Sequence, residues 1–523
     1  MYYGIYEPDQ LLPLPRYRCS AVEERKADGI NHVIRLNLKR LADPAVDVAE
    51  LKKNDGGVIV YRLEIYNPRW ATSFYYDRRF EFQGDELLPT VVAGPFVDQI
   101  TDTSVVISWE TDRPAHGTVF IDKKAYEIEP GAPAVHFEKR IAGLKPGSVH
   151  TYMVKISDDR HTTMTREYFF TTPESDATSF SFAVMGDSRE GYGGGENAFG
   201  GVNYKVTQRF AMDAFNRGVE FIIHTGDMVN GYTTGRADLE MQLTTFKSAV
   251  EPVGHFIPIY EVMGNHEVVI DIYDDGSRSG LRFDKRGDES SEVIFARHFV
   301  NPTNGPEPDQ AGAPPYRENV YYFDYGNSRF VIMNNNYWWS GYPEEYGGNL
   351  EGYVLDDQFK WLKRVFADAA VDSTVEHLFL FAQEPMFPTG GHARDGMWYH
   401  GGDPEMNNGI DRSYIVRRRD EIWRAFIETG KAVAGSFGDE HNYSRTLITS
   451  GTDPGVNSPV WQIISGGAGA PFYAQDKSVP WAPFVLAFST QMNYVLIRVE
   501  GSRVELEAYG FTGEMIDEAV LKE

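Results

Sequence analysis

The sequence predicts a β-rich N-terminal half followed by an α/β domain. Three observations carry that reading. Short alternating runs at β-sandwich spacing fill residues 91 to 173, and after Pro173 the pattern changes to strands alternating with amphipathic helices. Three of those later strands end in a glycine followed at once by a metal-capable side chain: Gly186-Asp187, Gly226-Asp227 and Gly264-Asn265-His266-Glu267.

Residues 1 to about 90 carry β-rich runs such as Val58 to Tyr66, punctuated by Asp-Gly-Gly and Asn-Pro, and read as a β-rich module. From 91 to 173 the runs sharpen into TSVVISWET, HGTVFID, HFEKRIAGLKPGSVHTYMVKI and REYFFTTP. These predict a β-sandwich with Trp109 in its core and a turn at Leu144 to Gly147. Beyond Pro173, SFSFAVMGD, VEFIIHTGD and IPIYEVMGN read as strands. Tyr204 to Arg217 and Ala237 to Val250 read as the helices between them. A hairpin follows at NVYYFDYGNSRFVIMNNN, then a helix at Asp356 to Ala369 and a strand at EHLFLFAQ. A helix at Asp411 to Glu428, the strand KAVAGSF and a closing hairpin from Asn493 to Gly510 complete the succession.

At 523 residues the chain exceeds what one hydrophobic core usually organises, so two or three domains are expected. The formal net charge of -26 excludes a nucleic-acid scaffold role, because phosphate backbones attract basic faces. An acidic protein that handles phosphate needs cations locally, from a metal or from arginine. The single cysteine, Cys19, excludes an internal disulfide and a thiolate cluster for structural zinc. The N-terminus lacks the charged region and apolar run of a signal peptide, and no stretch of about 18 apolar residues marks a transmembrane segment. A removed leader leaves the same trace, so location stays open between the cytoplasm and an exported compartment.

In an open α/β sheet the carboxyl ends of the strands open onto one crevice, so residues far apart in sequence converge there. One Gly-Asp after a strand is no more than a turn, whereas three such ends in order point to a metal site. Their order resembles the calcineurin-like metallophosphoesterases, whose pattern is D-x-H, GD, GNH[DE], a histidine before a proline, and GHxH. Residues 91 to 173 resemble the fibronectin type III domain that precedes the catalytic domain of purple acid phosphatases and their bacterial relatives. The domains expected are therefore 1–90, 91–173 and 174–523, the last a four-layer α/β/β/α sandwich. The family resemblance favours an exported protein.

The resemblance implies two metals bridged by one aspartate, with attack on phosphorus by a metal-bound hydroxide. Carried over residue by residue, Asp187 would bind the first metal, Asp227 would bridge, Asn265 would bind the second, and His441 would return to the first. His266 would protonate the leaving group or stabilise phosphoryl charge. The chain departs from the pattern three times: the expected histidines are Arg189 in GDSR, Gln383 in FLFAQEPMFP and Asp439 in GDEH. Purple acid phosphatases also lack the first histidine but have a tyrosine ligand three residues after the bridging aspartate, and that position is Asn230 here.

Asp227, Asn265, Gln383 and Asp439 then form an all-oxygen set for the second metal, with Glu384 or Glu440 in reserve. Such hard donors favour manganese, magnesium or calcium over zinc or iron. Arg189 beside Asp187 either takes over part of the first metal's charge and grips phosphate, or merely neutralises that carboxylate. The expected function is hydrolysis of a phosphate monoester or diester using one or two divalent ions, with low or specialised activity. The competing expectation is a non-catalytic binding or structural module of the same fold, self-associating through its β domains.

Other features have plainer readings. Tyr337-Trp338-Trp339, Tyr342, Tyr346 and the loop Pro388 to Asp403 either form a platform for substrate or pack against the core. His392 and His400 in that loop are candidate proton donors or replacement ligands, and His224 reads as a core-facing strand residue. The glycine-rich stretch 191 to 201 lacks phosphate-loop spacing and reads as a lid or surface loop. Arg417-Arg418-Arg419 reads as a solvated helix face.

Overall fold

The computed structural model describes residues 1–6, 10–23, 32–38, 51, 55–68, 72–128, 131–190, 199–233, 235–269, 271–272, 281–282, 290–341, 343, 347–452 and 455–523. Most of the glycine-rich stretch, together with Tyr342 and Tyr346, lies outside these residues. Contacts divide the chain into two units, one of residues 1–172, 198–200 and 247–257, the other of 173–197, 201–246 and 258–523.

Apart from the helical residues 247–254, the first unit is β. Strands β1 (Tyr2–Tyr6), β2 (Pro15–Ser20), β3 (Gly56–Asn67), β4 (Thr72–Gln83) and β5 (Glu86–Leu88) form an antiparallel sheet in the order β2-β1-β3-β4-β5. A second sheet has β6 (Val91–Asp98), the long β7 (Ser104–Ile121), β10 (Val149–Ser157) and β11 (Thr162–Met164) along its path. On it, β8 (Lys124–Glu127) and β9 (Ala134–Ala142) pair with β7, and β12 (Tyr168–Thr171) pairs with β10. Trp109 is buried and stacks on Phe137 with centroids 4.9 Å apart. A side chain at Gly117 would meet its ring at 2.4 Å, so the indole fixes a glycine across the strand. His150 bridges Asp122 Oδ2 at 2.7 Å and the Lys145 carbonyl at 3.2 Å, closing the turn that follows Leu144.

The second unit stacks two mixed sheets. In the first, β13 (Ser179–Met185), β14 (Phe221–His224) and β15 (Ile259–Glu261) run parallel. The short pair β16 (Asp271–Ile272) and β17 (Leu281–Arg282) stands apart. The second sheet contains β18 (Tyr321–Tyr325), β19 (Ser328–Ile332), β20 (His377–Ala382), β21 (Ala432–Phe437), β22 (Tyr443–Ile448), β23 (Val460–Ser465) and β24 (Val485–Ser489). Its order is β18-β19-β20-β21-β23-β22-β24, with β19, β20, β21 and β23 parallel. The chain closes with β25 (Asn493–Glu500), β26 (Arg503–Gly510) and β27 (Met515–Lys522), which extend the first sheet from β13.

Period-two alternation sorts the side chains between layers. Phe180, Phe182, Phe221, Phe330, Phe379 and Phe381 share one buried cluster between the sheets. The opposite faces of β19 and β20 place Val331, Leu378 and Leu380 against helix residues Trp361, Leu362, Ile422 and Trp423. The helices are α1 (Tyr204–Asn216), α2 (Arg236–Gly254), α3 (Ser291–His298), α4 (Asp356–Val371) and α5 (Ser413–Ile427). The fold class expected from sequence is thus present in outline: all-β sheets, then two stacked mixed sheets with helices.

Candidate metal centre

Each candidate ligand lies just beyond the carboxyl end of a strand. Asp187 follows β13, Asp227 follows β14, Asn265 and His266 follow β15, Gln383 follows β20, and Asp439 and His441 follow β21. Asp187, Asp227 and Asp439 all have left-handed backbones, with φ of +60°, +52° and +64°. Non-glycine residues held there store strain that surrounding structure must impose. Four glycines make the space: a Cβ on Gly226 would meet Gln383 Oε1 at 2.5 Å, one on Gly264 Asp227 Oδ1 at 2.3 Å, and one on Gly438 Asp187 Oδ2 at 2.6 Å. One on Gly466 would meet Asp187 Oδ2 at 2.7 Å.

One ligand-capable atom each from Asp187, Asp227 and His441 lie within 4.8 Å of one another, all buried. Gln383 donates its Nε2–H to Asp187 Oδ1 at 3.0 Å, and the Asp439 N–H donates to both Asp187 oxygens at 3.0 Å. Burial, then the Asp227 charge, holds the Asp187 carboxyl far above its usual range. Burial also raises Asp227 to about 6, against the opposing pull of Arg189. His441 gives Nδ1 to the Pro471 carbonyl, stacks on Tyr473 at 4.3 Å, and keeps Nε2 3.6 Å from Asp187 Oδ1. Burial and the Arg189 charge keep its ring neutral.

Arg189 differs from the expectation. Its Nε lies 3.7 Å from Asp227 Oδ2, and its Nη2 is 3.4 Å from His441 Nε2. The guanidinium therefore faces the carboxylate expected to bridge, and its closest acidic partner is not Asp187. His266 also approaches Asp227 Oδ2, at 3.7 Å from Nε2. Its Nδ1 is 2.6 Å from the Asn230 carbonyl, which fixes the proton on Nδ1, and burial lowers its pKa to about 3.

Three of the candidate ligands each keep a buried oxygen without a hydrogen-bond partner among the described residues: Asn265 Oδ1, Gln383 Oε1 and Asp439 Oδ2. His392 Nδ1 stands 3.3 Å from the last of these. Buried unpaired oxygens are costly. Oxygens of this kind are the donors a hard divalent cation takes, so the chemistry of these side chains fits such a metal.

The two reserve carboxylates have separate tasks. Glu440 accepts the N–H groups of Gly390, Gly391 and His392 at 2.8, 2.7 and 3.1 Å, which occupies it in holding the loop. Glu384 instead joins Glu351 and His392 in a second ligand-capable group. No such group among the described residues includes His400.

Sequence reasoning missed several residues. Tyr232 accepts the Asn265 amide at 3.0 Å and meets the His266 ring edge-on at 4.4 Å. Its signal was the tyrosine five residues after Asp227, two beyond the position inspected. Glu267 binds the N–H groups of Asp227, Gly264 and Val229, lacing two strand ends together. His224 is a buried strand residue as expected, and it also holds Ser188 Oγ at 3.0 Å. Tyr337, Trp338 and Trp339 pack into the core. Arg419 is buried among Phe387, Trp398 and Trp481, so the Arg417–Arg419 run is not wholly a solvated face.

Two stacked mixed sheets with carboxylates and imidazole at their strand ends define a metallophosphoesterase-fold domain. Residues 180–409 match the family model described as calcineurin-like phosphoesterase, a match that stops short of Asp439 and His441. Among solved structures, purple acid phosphatase PPD1 from yellow lupin (Lupinus luteus) is 15% identical with a TM-score of 0.58, over 86% of this chain and 81% of its own. The structure of PhoD is 13% identical with a TM-score of 0.54, over 81% of this chain and 91% of its own. No curated protein sequence matches the chain.

Proposed function

We propose that this domain hydrolyses a phosphate monoester or diester with one or two divalent cations, manganese, magnesium or calcium before zinc or iron. Asp187, Asp227 and His441 would hold one ion, and Asp227, Asn265, Gln383 and Asp439 the other. The observation that carries the reading is the set of three unpaired buried oxygens on Asn265, Gln383 and Asp439 beside the Asp187–Asp227–His441 group. The N-terminal β region, 1–90 and the fibronectin type III-like 91–173, belongs to the same reading as a non-catalytic half.

When bound, the metal supplies acidification of a water and neutralisation of phosphoryl charge. Hydrolysis adds water across the P–O bond, its oxygen to phosphorus and one proton to the leaving oxygen. His266 suits the proton transfer, because Nδ1 is committed to Asn230 and Nε2 is the atom left to take up and release a proton. Arg189 suits two phosphoryl oxygens through its planar fork, with Nε lacking a hydrogen bond among the described residues.

A second reading, a non-catalytic binding module, is favoured by one observation: the same guanidinium already faces both Asp227 and His441. Metal analysis and a phosphoesterase assay across manganese, magnesium, calcium and zinc separate the two. Stoichiometric metal with hydrolysis abolished in Asp227→Asn supports the enzyme. No bound metal and no turnover under any of these conditions sinks it.

A further inference from the structure

Next to the centre just described, Glu351, Glu384 and His392 each bring one ligand-capable atom within 4.8 Å of the others. They come from three separate segments: the turn before α4, the residue after Gln383, and the loop pinned by Glu440. Glu384 is fully buried, no N–H group among the described residues donates to either of its carboxylate oxygens, and its carboxyl lies against that of Asp439. Trp339 Nε1 donates to Glu351 Oε2 at 3.1 Å, leaving its other oxygen for the group. Asp395 Oδ1 lies 3.0 Å from His392 Nδ1, a carboxylate–imidazole pairing of the kind that orients metal-ligating histidines. Asp439 Oδ2, 3.3 Å from the same Nδ1, borders the group on the side of the phosphoesterase centre.

Charge decides what belongs there. Glu351, Glu384, Asp395 and Asp439 face a single imidazole, and carboxylates buried this close repel unless a proton or a cation lies among them. Glycine also keeps room beside Glu384: Gly396 has φ +54°, and a Cβ there would stand 2.6 Å from Glu384 Oε2.

We infer that Glu351, Glu384 and His392 form a third cation site, for a hard divalent ion such as Mn²⁺, distinct from the Asp187–Asp227–His441 centre. Two carboxylates and one imidazole suit manganese better than calcium, which rarely takes nitrogen. The inference does not depend on the hydrolytic reading, because it concerns occupancy and not turnover.

The test is Mn²⁺ binding to the full chain by equilibrium dialysis and electron paramagnetic resonance. Wild type should bind one more equivalent than the Glu351→Gln/Glu384→Gln double variant. The Asp187→Asn/Asp227→Asn variant should retain that equivalent while losing the ion or ions of the phosphoesterase centre. Both glutamines are isosteric and relieve repulsion; if the double variant does not fold, His392→Gln is scored by the same criterion. Equal Mn²⁺ stoichiometry in wild type and the folded variant overturns the site and leaves a proton shared among the carboxyls. Absence of hydrolysis in wild type with the extra equivalent present would fail the phosphoesterase reading alone.

Discussion

Gln383 gives an N–H to Asp187 at 3.0 Å and leaves its own oxygen buried without a hydrogen-bond partner among the described residues. One amide thus stabilises the carboxylate expected to hold one ion and offers a donor to the other. Replacing Gln383 by leucine should weaken Mn²⁺ binding by about tenfold or more, since hydrogen bonds to ligating groups commonly carry that much affinity. Calorimetric titration checks it, and unchanged affinity would reduce the amide to packing.

Introducing Arg189→His, Gln383→His and Asp439→His together should shift preference toward zinc, because imidazole replaces hard oxygens and a fixed cation. Competition of zinc against manganese reads the shift. A folded triple variant with unaltered preference would mean that the crevice differs by more than three side chains.

Arg189→Ala should lower kcat/KM by about 10²-fold, in the range for losing one preorganised charge on a transition state. Arg189→Lys should recover only part, as an ammonium cannot grip two oxygens in a fork. Were Arg189 only a neutralising group, lysine would restore activity fully.

Gly226 has φ +102°, with Gln383 Oε1 and Gly264 N in the way of any Cβ. Gly226→Ala should cost about 2–4 kcal/mol, combining backbone strain with a clash against the site. Chemical denaturation measures it, and a loss below 1 kcal/mol would contradict the crowding described.

Glu292 gives a pH test at a carboxyl that is not a candidate ligand. Burial raises its carboxyl to about 7, opposed by the N–H groups of Glu292 itself and of Trp338, the latter at 2.7 Å. The folded state therefore holds a proton that the unfolded state has already lost. Stability from this group is complete below about pH 4.5 and disappears as pH rises through 7. Between pH 5 and 8.5 wild type should lose about 2–3 kcal/mol more than Glu292→Gln. Parallel denaturation curves of the two proteins would refute the assignment.

Much of the second unit was legible because its strands obey period two and its helices 3.6, as at Phe180, Phe182 and Val184 or along Tyr204 to Asn216. Helix α3 was missed: it is short, and its start rests on Ser290 accepting the Val293 N–H at 3.3 Å, a cap without an apolar stripe. β27 was also missed, since MIDEAVLK mixes faces and gains its place by pairing with β26. At the centre, strand-end glycines announced the carboxylates. Which carboxylate Arg189 would face was unreadable, because Asp187 stands in the same segment and Asp227 follows the neighbouring strand, and only tertiary contacts choose between them.

Glu440 binds three successive N–H groups of the loop that carries His392, while its neighbours Asp439 and His441 lie against Asp187 of the candidate metal centre. Residues 390–392 and 439–441 are therefore a single mechanical part. Anyone transplanting the Pro388–Asp403 loop between proteins of this fold to alter specificity would have to move the GDEH turn with it as a cassette. A graft without Glu440 would leave three backbone donors without their acceptor at the rim of the crevice.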